Sequence, residues 1–169
     1  MEIRRTQEND LEKVMYIYKE SREFMVKNGN PGQWGNDFPK KELVESDIKK
    51  DGYVVVDNSG IIGVFVLSDR EETYDAINGN WLNDEPYGVI HRIAAAGTRT
   101  GAGQFILDWS LNKVGNIRID THEDNVPMLK LLKKNGYKYC GKVSYKNRGE
   151  RLAFQKIINN QIIKQTEGE

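Results

Sequence analysis

The spacing of apolar residues along the chain predicts four helices. Apolar residues recur three and four positions apart in four segments, residues 10–27, 40–50, 104–113 and 126–135. Asn9 or Asp10, at the start of the first segment, is predicted to cap it, since both side chains accept hydrogen bonds from a first helical turn. Residues 28–39 hold three glycines, two prolines and three asparagines, a composition typical of a loop.

Shorter apolar runs predict the strands. Residues 53–57 and 61–67 flank a turn at residues 58–60 and form a predicted β-hairpin. Further strands are predicted at residues 1–6, at the start of residues 87–103, at residues 117–121 and at residues 150–156. The hairpin is antiparallel, whereas the strand–helix–strand unit of residues 87–121 requires a parallel crossover. The predicted fold class is α/β with an α+β mixed sheet, in one domain over residues 1–158 followed by a tail at residues 159–169.

Residues 87–103 carry a pattern suited to binding a phosphate group. A predicted strand there runs through a glycine-bearing loop into the start of a helix. Glycines let backbone N–H groups approach a ligand, and the positive end of the helix dipole favours negative charge. The Gly-X-Gly spacing at Gly101 and Gly103 also occurs in ordinary turns, so the loop by itself leaves both interpretations open.

Residues 117–141 carry a second informative pattern. The strand at residues 117–121 leads to Asn125, a predicted helix cap, and the helix that follows has an apolar face. Two lysines in its last turn and Gly136 just beyond it are typical of a helix C-terminus. The segment is therefore predicted to form a strand, a well-capped helix and the start of another strand.

Together the two segments resemble the motifs of the GNAT superfamily of N-acetyltransferases. The first segment resembles the family's acetyl-CoA motif, (Gln/Arg)-x-x-Gly-x-(Gly/Ala), and Gly101 and Gly103 match its last two named positions. The family's helix motif, Asn-x-x-Ala-x-x-Leu-Tyr-x-Lys-x-Gly-Phe, is matched by Asn125, Leu131, Lys134, Gly136 and, conservatively, Tyr137. The motifs occur in the family's order, and a weaker resemblance extends from the first strand to Lys156.

The sequence departs from these motifs at two positions. The Gln or Arg at the head of the phosphate loop is Thr98, although Arg99 follows at once and could supply the charge. The helix position where the family commonly has a tyrosine, thought to protonate the departing CoA thiolate, is Leu132. The general acid is therefore left open, with Tyr139, Tyr145 or a water as the alternatives.

The resemblance implies a GNAT-like fold in which the two parallel strands splay apart and acetyl-CoA, the implied cofactor, binds in the gap. Main-chain groups of the first splayed strand would pair with pantetheine, and one N–H would polarise the thioester carbonyl. Ligands in such sheets generally bind beyond the carboxyl ends of parallel strands, and the gap between the two splayed strands lies at those ends. The implied cofactor-binding residues are Ile93, Ala94, Ala95, Thr98, Arg99, Thr100, Gly101, Ala102, Gly103, Asn125, Met128 and Leu132.

Two histidines are the candidates for catalysis. N-acetylation requires an amine without its proton, and an imidazole can accept that proton near neutral pH. His91 lies just before the acetyl-contacting segment, and some branches of the family resembled place a base-acting histidine there; strand alternation sends His91 and Arg92 to opposite faces. His122, at the end of the next strand, is the rival catalytic and substrate-binding residue. Trp34 either lines the acceptor pocket or covers the core.

Composition narrows the choice of partner. Lys plus Arg equals Asp plus Glu at 25 each, so no overall basic field favours nucleic acid. The single Cys140 excludes an intramolecular disulfide and is more typical of a small buried residue than of a nucleophile. No apolar run approaches the ~20 residues of a spanning helix and no signal peptide is recognisable, so we expect a cytoplasmic protein without a membrane partner. The expected partner is a small-molecule or peptide amine, with a homodimer left open.

Three functions remain open from the sequence. The first is acetyl-CoA-dependent N-acetylation of a primary amine by direct attack on the thioester. The second is a CoA-binding module of the same fold without catalysis, which Leu132 favours. The third is an unrelated nucleotide binder using residues 98–103, although the chain has no Gly-Lys-Ser/Thr phosphate-loop signature. Residues 69–85 add six acids against Arg70, which would attract a cationic amine if they border the acceptor site.

Overall fold

The fold is given by a computed structural model, which describes residues 1–97 and 101–158. The strands are β1 (Glu2–Arg5), β2 (Gly52–Asp57), β3 (Gly60–Ser68), β4 (Asn78–Gly79), β5 (Gly88–Ala95), β6 (Asn116–Thr121), β7 (Lys138–Tyr145) and β8 (Gly149–Ile157). The α-helices are α1 (Leu11–Lys27), α2 (Lys41–Lys49), α3 (Ala102–Val114) and α4 (Val126–Lys134), with short 3-10 helices at Glu8–Asp10 and Glu72–Ala76. Among these described residues, no helix is both long and apolar enough to cross a membrane.

The strands form a mixed sheet in the order β1-β2-β3-β5-β6-β8-β7-β4. Neighbouring strands are antiparallel except β5 and β6, which are parallel and are joined through α3. This arrangement confirms the predicted fold class, including the antiparallel hairpin and the parallel crossover.

β5 and β6 separate soon after they begin. Parallel pairing joins Gly88 with Ile117 and Val89 with Arg118. Beyond Val89, β5 continues with β3 on its other edge, while β6 continues with β8. The edge of β5 that faces β6 is therefore left without a neighbouring strand, which is the splay that the resemblance implies.

Alternating side chains along the central strands divide the hydrophobic core between the two faces of the sheet. Val54 and Val64 pack with α1 and α2, whereas Val55 and Phe65 pack with α3 and α4. Each buried side chain of this size contributes about 1.5–3 kcal/mol relative to leaving it in water. The helices are thereby fixed against both faces, and the ends of β5 and β6 lie between them.

The predicted cap of the first helix was wrong. Asp10 makes no side-chain hydrogen bond to the start of α1. Its Oδ2 instead accepts from the Gln7 N–H at 2.8 Å and from the Arg4 guanidinium at 2.7 Å. The Asp10 carboxylate therefore binds the 3-10 turn ahead of α1 and Arg4 of β1, although its position in the sequence predicts that it caps α1.

The acidic segment at residues 69–85 holds more structure than its polarity predicts. It contains the 3-10 helix Glu72–Ala76, and β4 follows as an edge strand beside β7. Gly79 has a φ of 145°, and a Cβ there would collide with the Cys140 carbonyl oxygen. A two-residue strand of this kind is set by close backbone contact with β7, which no local pattern encodes.

Candidate active site

The open edge of β5 borders a groove of about 1110 Å³. The C-terminal half of α1, the first turns of α3 and the N-terminal half of α4 form its other walls. Six predicted cofactor residues line the groove, namely Ile93, Ala94, Ala95, Gly103, Asn125 and Met128. The groove thus combines an open strand edge, apolar side chains and a helix N-terminus in one place.

The glycines of the predicted phosphate loop lie where β5 passes into α3. Gly101 has a φ of 98°, a conformation that side chains other than glycine rarely adopt, and its carbonyl accepts the first helical hydrogen bond of α3 from the Phe105 N–H at 2.9 Å. The N–H groups of a first helical turn lack acceptors within the helix. Ala102, main chain included, is fully buried and does not line the groove. Thr98, Arg99 and Thr100 lie outside the described residues.

A second, smaller cavity of about 130 Å³ adjoins the groove. The two share four lining residues, Met25, Ile93, Asn125 and Met128. The small cavity also has many polar side chains along its wall, among them Glu71, His91, Arg92, Asp120, Tyr145, Arg148 and Arg151. We call it the acceptor cavity, because a second substrate there would lie next to the end of whatever fills the groove.

His91 lines the acceptor cavity and pairs with Glu71. His91 Nε2 lies 3.2 Å from Glu71 Oε2, and both side chains are largely shielded from solvent, at 15% and 22% exposure. The hydrogen bond to His91 lowers the pKa of Glu71 to about 2, and Thr73 adds to the effect by donating its N–H to Glu71 Oε1 at 3.2 Å. Glu71 is thus held as a carboxylate that accepts from Nε2, which leaves Nδ1 as the imidazole nitrogen able to take a proton.

Arg92 forms a bulge in β5. The register with β3 shifts between Val64 and Val66, and Arg92 has a φ of 47°. Such a conformation costs about 1–3 kcal/mol in a non-glycine residue. It is held by the Tyr18 hydroxyl, which donates to the Arg92 carbonyl at 2.9 Å, and by the Arg92 guanidinium, which donates to both oxygens of Asp47 at 2.6 and 2.8 Å.

The bulge corrects the expectation that strand alternation lets only one of His91 and Arg92 face the substrate. Both residues line the acceptor cavity, although their side chains bind different partners, Glu71 and Asp47. An extra residue in a strand interrupts the alternation of side chains. The bulge also leaves Ile93, which lies beside the groove, without a paired residue in β3.

Asp120 forms a hydrogen-bonded group that the sequence analysis missed. Its Oδ2 accepts from the hydroxyls of Tyr74 and Tyr145, each at 2.6 Å. Burial raises the pKa of both phenols, and the neighbouring carboxylate of Asp120 raises it further, so both remain protonated donors at neutral pH. Asp120 lies in β6, a strand whose other residues are all buried, and an acid between Ile119 and Thr121 was the signal available in the sequence.

Asn125 performs the capping role predicted for it and a second role. Its Oδ1 accepts from the Met128 N–H at 3.3 Å at the start of α4. Its Nδ2 donates to Gln33 Oε1 at 2.9 Å, which ties the helix to the loop between α1 and α2. Gln33 also accepts from Asn30 at its side chain and from Arg151 at its carbonyl. This loop residue had no sequence signal, because two of its three partners, Asn125 and Arg151, come from distant segments.

His122 and Trp34 occupy different surroundings. His122 is not among the described residues that line the groove or the acceptor cavity; its Nδ1 accepts from the Asp124 N–H at 3.0 Å. Trp34 lines the acceptor cavity and is also part of the core, packed against Tyr18 and Phe38 at ring distances of 5.6 and 6.1 Å. The two alternatives for Trp34, pocket wall and core cover, describe one position.

Leu132 differs from its predicted placement. It is fully buried in the core beneath α4 and does not line the groove, whereas Leu131, one position earlier, does. Of the alternative acids, Tyr139 is 57% exposed on β7, and Tyr145 lines the acceptor cavity. Cys140 is buried, and burial raises the pKa of its thiol, as suits a structural residue.

The burial of Leu132 predicts a purely structural role for it. We expect Leu132→Ala to lower the free energy of unfolding by about 2–5 kcal/mol, the usual range for a buried leucine, with little change in acetyl-CoA affinity. Leu131→Ala should instead weaken acetyl-CoA binding with a smaller loss of stability. Leu132→Tyr should raise turnover little. Urea unfolding and calorimetry on the three variants check this. A gain in turnover of an order of magnitude with tyrosine would contradict it.

Comparison with solved structures identifies the family. No protein-family model matches the chain, and no curated protein matches it. A GNAT-family acetyltransferase from Streptococcus agalactiae 2603 is 34% identical, with coverage of 94% of this chain and 95% of that chain and a TM-score of 0.84. A proposed acetyltransferase from Staphylococcus aureus Mu50 is 26% identical, with coverage of 94% and 100% and a TM-score of 0.71.

The fold extends to a more distant structure of different activity. GphF, a GNAT-like decarboxylase solved in complex with isobutyryl-CoA, is 10% identical, with coverage of 94% of this chain and 100% of that chain and a TM-score of 0.67. At that identity the likeness shows the fold alone. The identity to the streptococcal protein, which extends over almost the full length of both chains, shows that this chain belongs to the GNAT family of acetyltransferases.

Proposed function

We propose that the protein is an acetyl-CoA-dependent N-acetyltransferase that acts on a primary amine. The observation that carries the proposal is the contact between the groove and the acceptor cavity at Ile93, Asn125 and Met128, with His91 lining the cavity. Two substrates placed end to end in these spaces would meet beside a group able to accept a proton. Family membership supports acetyl transfer in general, and the cavity supports an amine as the acceptor.

The groove suits coenzyme A in shape and chemistry. Its open β5 edge offers main-chain groups that an extended pantetheine arm could pair with, as an added strand would. The start of α3 favours the negative charge of a pyrophosphate, and Gly103 leaves room for its approach. That a fold relative, GphF, was solved with isobutyryl-CoA adds support. Acetyl-CoA, when bound, supplies the thioester that the amine attacks.

His91 is proposed as the general base. Glu71 orients the imidazole through Nε2, so Nδ1 can take a proton from the amine, directly or through one water. The Glu71 carboxylate also stabilises the imidazolium that forms. Main-chain N–H groups at the bulge beside Ile93 would polarise the thioester carbonyl, and the groove and cavity would hold the reacting groups together.

The proton for the departing thiolate has two candidate sources. Tyr145 lines the acceptor cavity, and its raised pKa keeps it protonated, although its hydroxyl donates to Asp120. A water in the cavity is the other candidate. Tyr139 is disfavoured by its exposure away from the cavity.

The leucine at position 132, where the family commonly has a tyrosine, favours a second candidate function, a CoA-binding module without catalysis. Both functions predict binding of acetyl-CoA, but only the acetyltransferase predicts release of the CoA thiol when an amine is added. Calorimetry with acetyl-CoA, ATP and NAD tests the choice of cofactor, and thiol release with a panel of primary amines tests catalysis. Binding of acetyl-CoA without release of the CoA thiol in the presence of any amine would favour the module, and tighter binding of ATP or NAD would reject both functions.

The lowered pKa of Glu71 predicts how stability depends on pH. Its carboxylate contributes stability above about pH 4.5, its ordinary pKa, and that contribution is lost as the pH falls toward the folded value of about 2. We expect Glu71→Gln to be less stable than the wild type at pH 7, with the difference shrinking between pH 4.5 and 2. Urea unfolding at several pH values measures this, with the exposed neighbour Glu72→Gln as the control. A difference that stays constant with pH would contradict it.

A further inference from the structure

The acceptor cavity is lined by charges of both signs, and among the described residues no salt bridge joins its carboxylates to Arg148 or Arg151. Glu71 and Asp120 supply carboxylates, and Arg148 and Arg151 supply guanidinium groups. Arg92 is excluded from this balance because Asp47 binds it through both oxygens. A cavity lined in this way suits a ligand that carries a positive and a negative group itself.

Arg148 has the arrangement of a carboxylate receptor. Its guanidinium carbon lies 3.9 Å from the centroid of the Phe38 ring and 5.3 Å from that of Tyr145. Within the described part of the chain, no carboxylate and no hydrogen-bond acceptor pairs with it. Aromatic contacts use the flat face of a guanidinium and leave its N–H edge free, and that edge matches a carboxylate through two parallel hydrogen bonds.

Arg151 supports this arrangement without competing for the same ligand. It is 3% exposed, and its guanidinium donates to the carbonyls of Arg148, Glu150 and Gln33 at 2.8 to 2.9 Å. These contacts fix the backbone of Arg148 and of the loop that carries Trp34. Because the acceptors are neutral carbonyls, the positive charge of Arg151 still acts on the cavity.

The opposite charge in the cavity suits an ammonium group. Asp120 Oδ2 accepts from two tyrosines, whereas its Oδ1 has no donor among residues 1–97 and 101–158. Glu71 lies beside His91, the proposed base, so an ammonium near these two acids would be next to the group that must remove its proton. Tyr145 links the two charged regions, since it contacts Arg148 with its ring and Asp120 with its hydroxyl.

We propose that the acceptor is a small amine with a carboxylate a few bonds away, an amino acid or a close analogue, whose carboxylate binds Arg148 and whose amine faces Asp120 and His91. The size of the cavity agrees, since at about 130 Å³ it is far smaller than the groove and suits a small head group. A polyamine would place a further cation near two arginines, and the N-terminus of a long peptide lacks the nearby carboxylate. This inference rests on the proposed function for its amine chemistry.

The test compares carboxylates with their neutral amides. The common L-amino acids and β-alanine, each beside its carboxamide, are assayed by thiol release and titrated by calorimetry into the CoA-bound protein. We expect at least one acid to be preferred over its amide by roughly 10-fold or more, and Arg148→Gln to raise its KM roughly 10–100-fold with a smaller change in kcat. Arg148→Lys should recover part of the loss. Lys146→Gln, an exposed cation in the same turn, is the matched control for net charge.

Each outcome separates the inference from the proposed function. Turnover of amines with no preference for the acid over its amide would overturn the inference and leave the proposed function standing. Calorimetric binding of an amino acid that Arg148→Gln weakens, without thiol release, would support the inference and count against catalysis. Absence of both binding and turnover for every carboxylate would overturn the inference, as would an equal effect of Lys146→Gln.

Discussion

His91→Ala is expected to lower kcat by roughly 10²–10⁴-fold with little change in acetyl-CoA affinity, the usual range for losing a general base. The reason is that His91 is the histidine that lines the acceptor cavity, with Nε2 at 3.2 Å from Glu71 and Nδ1 left to take a proton. The ascending limb of the rate profile should also disappear, since that limb reports deprotonation of the essential base. Thiol release at varied pH measures both effects.

Two further variants make this experiment decisive. His91→Gln keeps an N–H donor for Glu71 but cannot take a proton, so it separates the loss of the base from the loss of a buried hydrogen bond. His122→Ala is the matched control, because His122 accepts from the Asp124 N–H and lines neither space among the described residues. A pH limb that survives in His91→Ala but vanishes in His122→Ala would reverse the assignment. Unchanged rates in all three variants would mean that the amine loses its proton to solvent.

Gly101→Val is expected to abolish measurable acetyl-CoA binding, and Gly103→Val should have a similar effect. Gly101 has a φ of 98° at the start of α3, where a β-branched residue is strained and would turn the first N–H groups of the helix away from a phosphate. A Cβ on Gly103, which lines the groove, would lie 3.0 Å from the Leu131 side chain. Losing two hydrogen bonds to charged oxygens, at about 1.5–3 kcal/mol each, predicts at least ~100-fold weaker binding.

The control for this prediction lies at the other end of the same helix. Gly115 has a φ of 84° beyond the C-terminus of α3, away from the groove, so Gly115→Val brings comparable backbone strain without touching the proposed phosphate site. Calorimetry with acetyl-CoA and thermal unfolding are measured on all three variants. Equal losses of affinity at Gly101 and Gly115 would show that strain rather than the site is responsible, and unchanged affinity in both groove variants would end the assignment of the loop.

Local patterns in the sequence predict much of the fold. The apolar spacing of residues 10–27 and 40–50 predicts α1 and α2 to within one residue at each end, because an amphipathic helix carries its own signal. The same holds for the hairpin of β2 and β3. Asn125 and Gly136 mark the ends of α4, since a cap is a contact between residues a few positions apart.

The candidate site is predictable only in part. The groove residues of β5 and α4 follow from two short motifs, because each motif lies within one strand–helix unit. The pairing of His91 with Glu71 joins residues in different segments of the chain, and no local pattern around either residue predicts the contact. The bulge at Arg92 likewise depends on Tyr18 and Asp47, which belong to α1 and α2.

By itself, the sequence determined the order of the main helices and strands, the fold class and the positions of both motifs, because these depend on the period of apolar residues and on contacts a few residues apart. The resemblance of the two motifs indicated the family. Only the tertiary structure decided that His91 rather than His122 lines the acceptor cavity, that Leu132 faces the core and that Arg148 lies against Phe38. These outcomes depend on how distant segments pack. A rotation of one residue along a helix, as between Leu131 and Leu132, moves a side chain from the groove to the core.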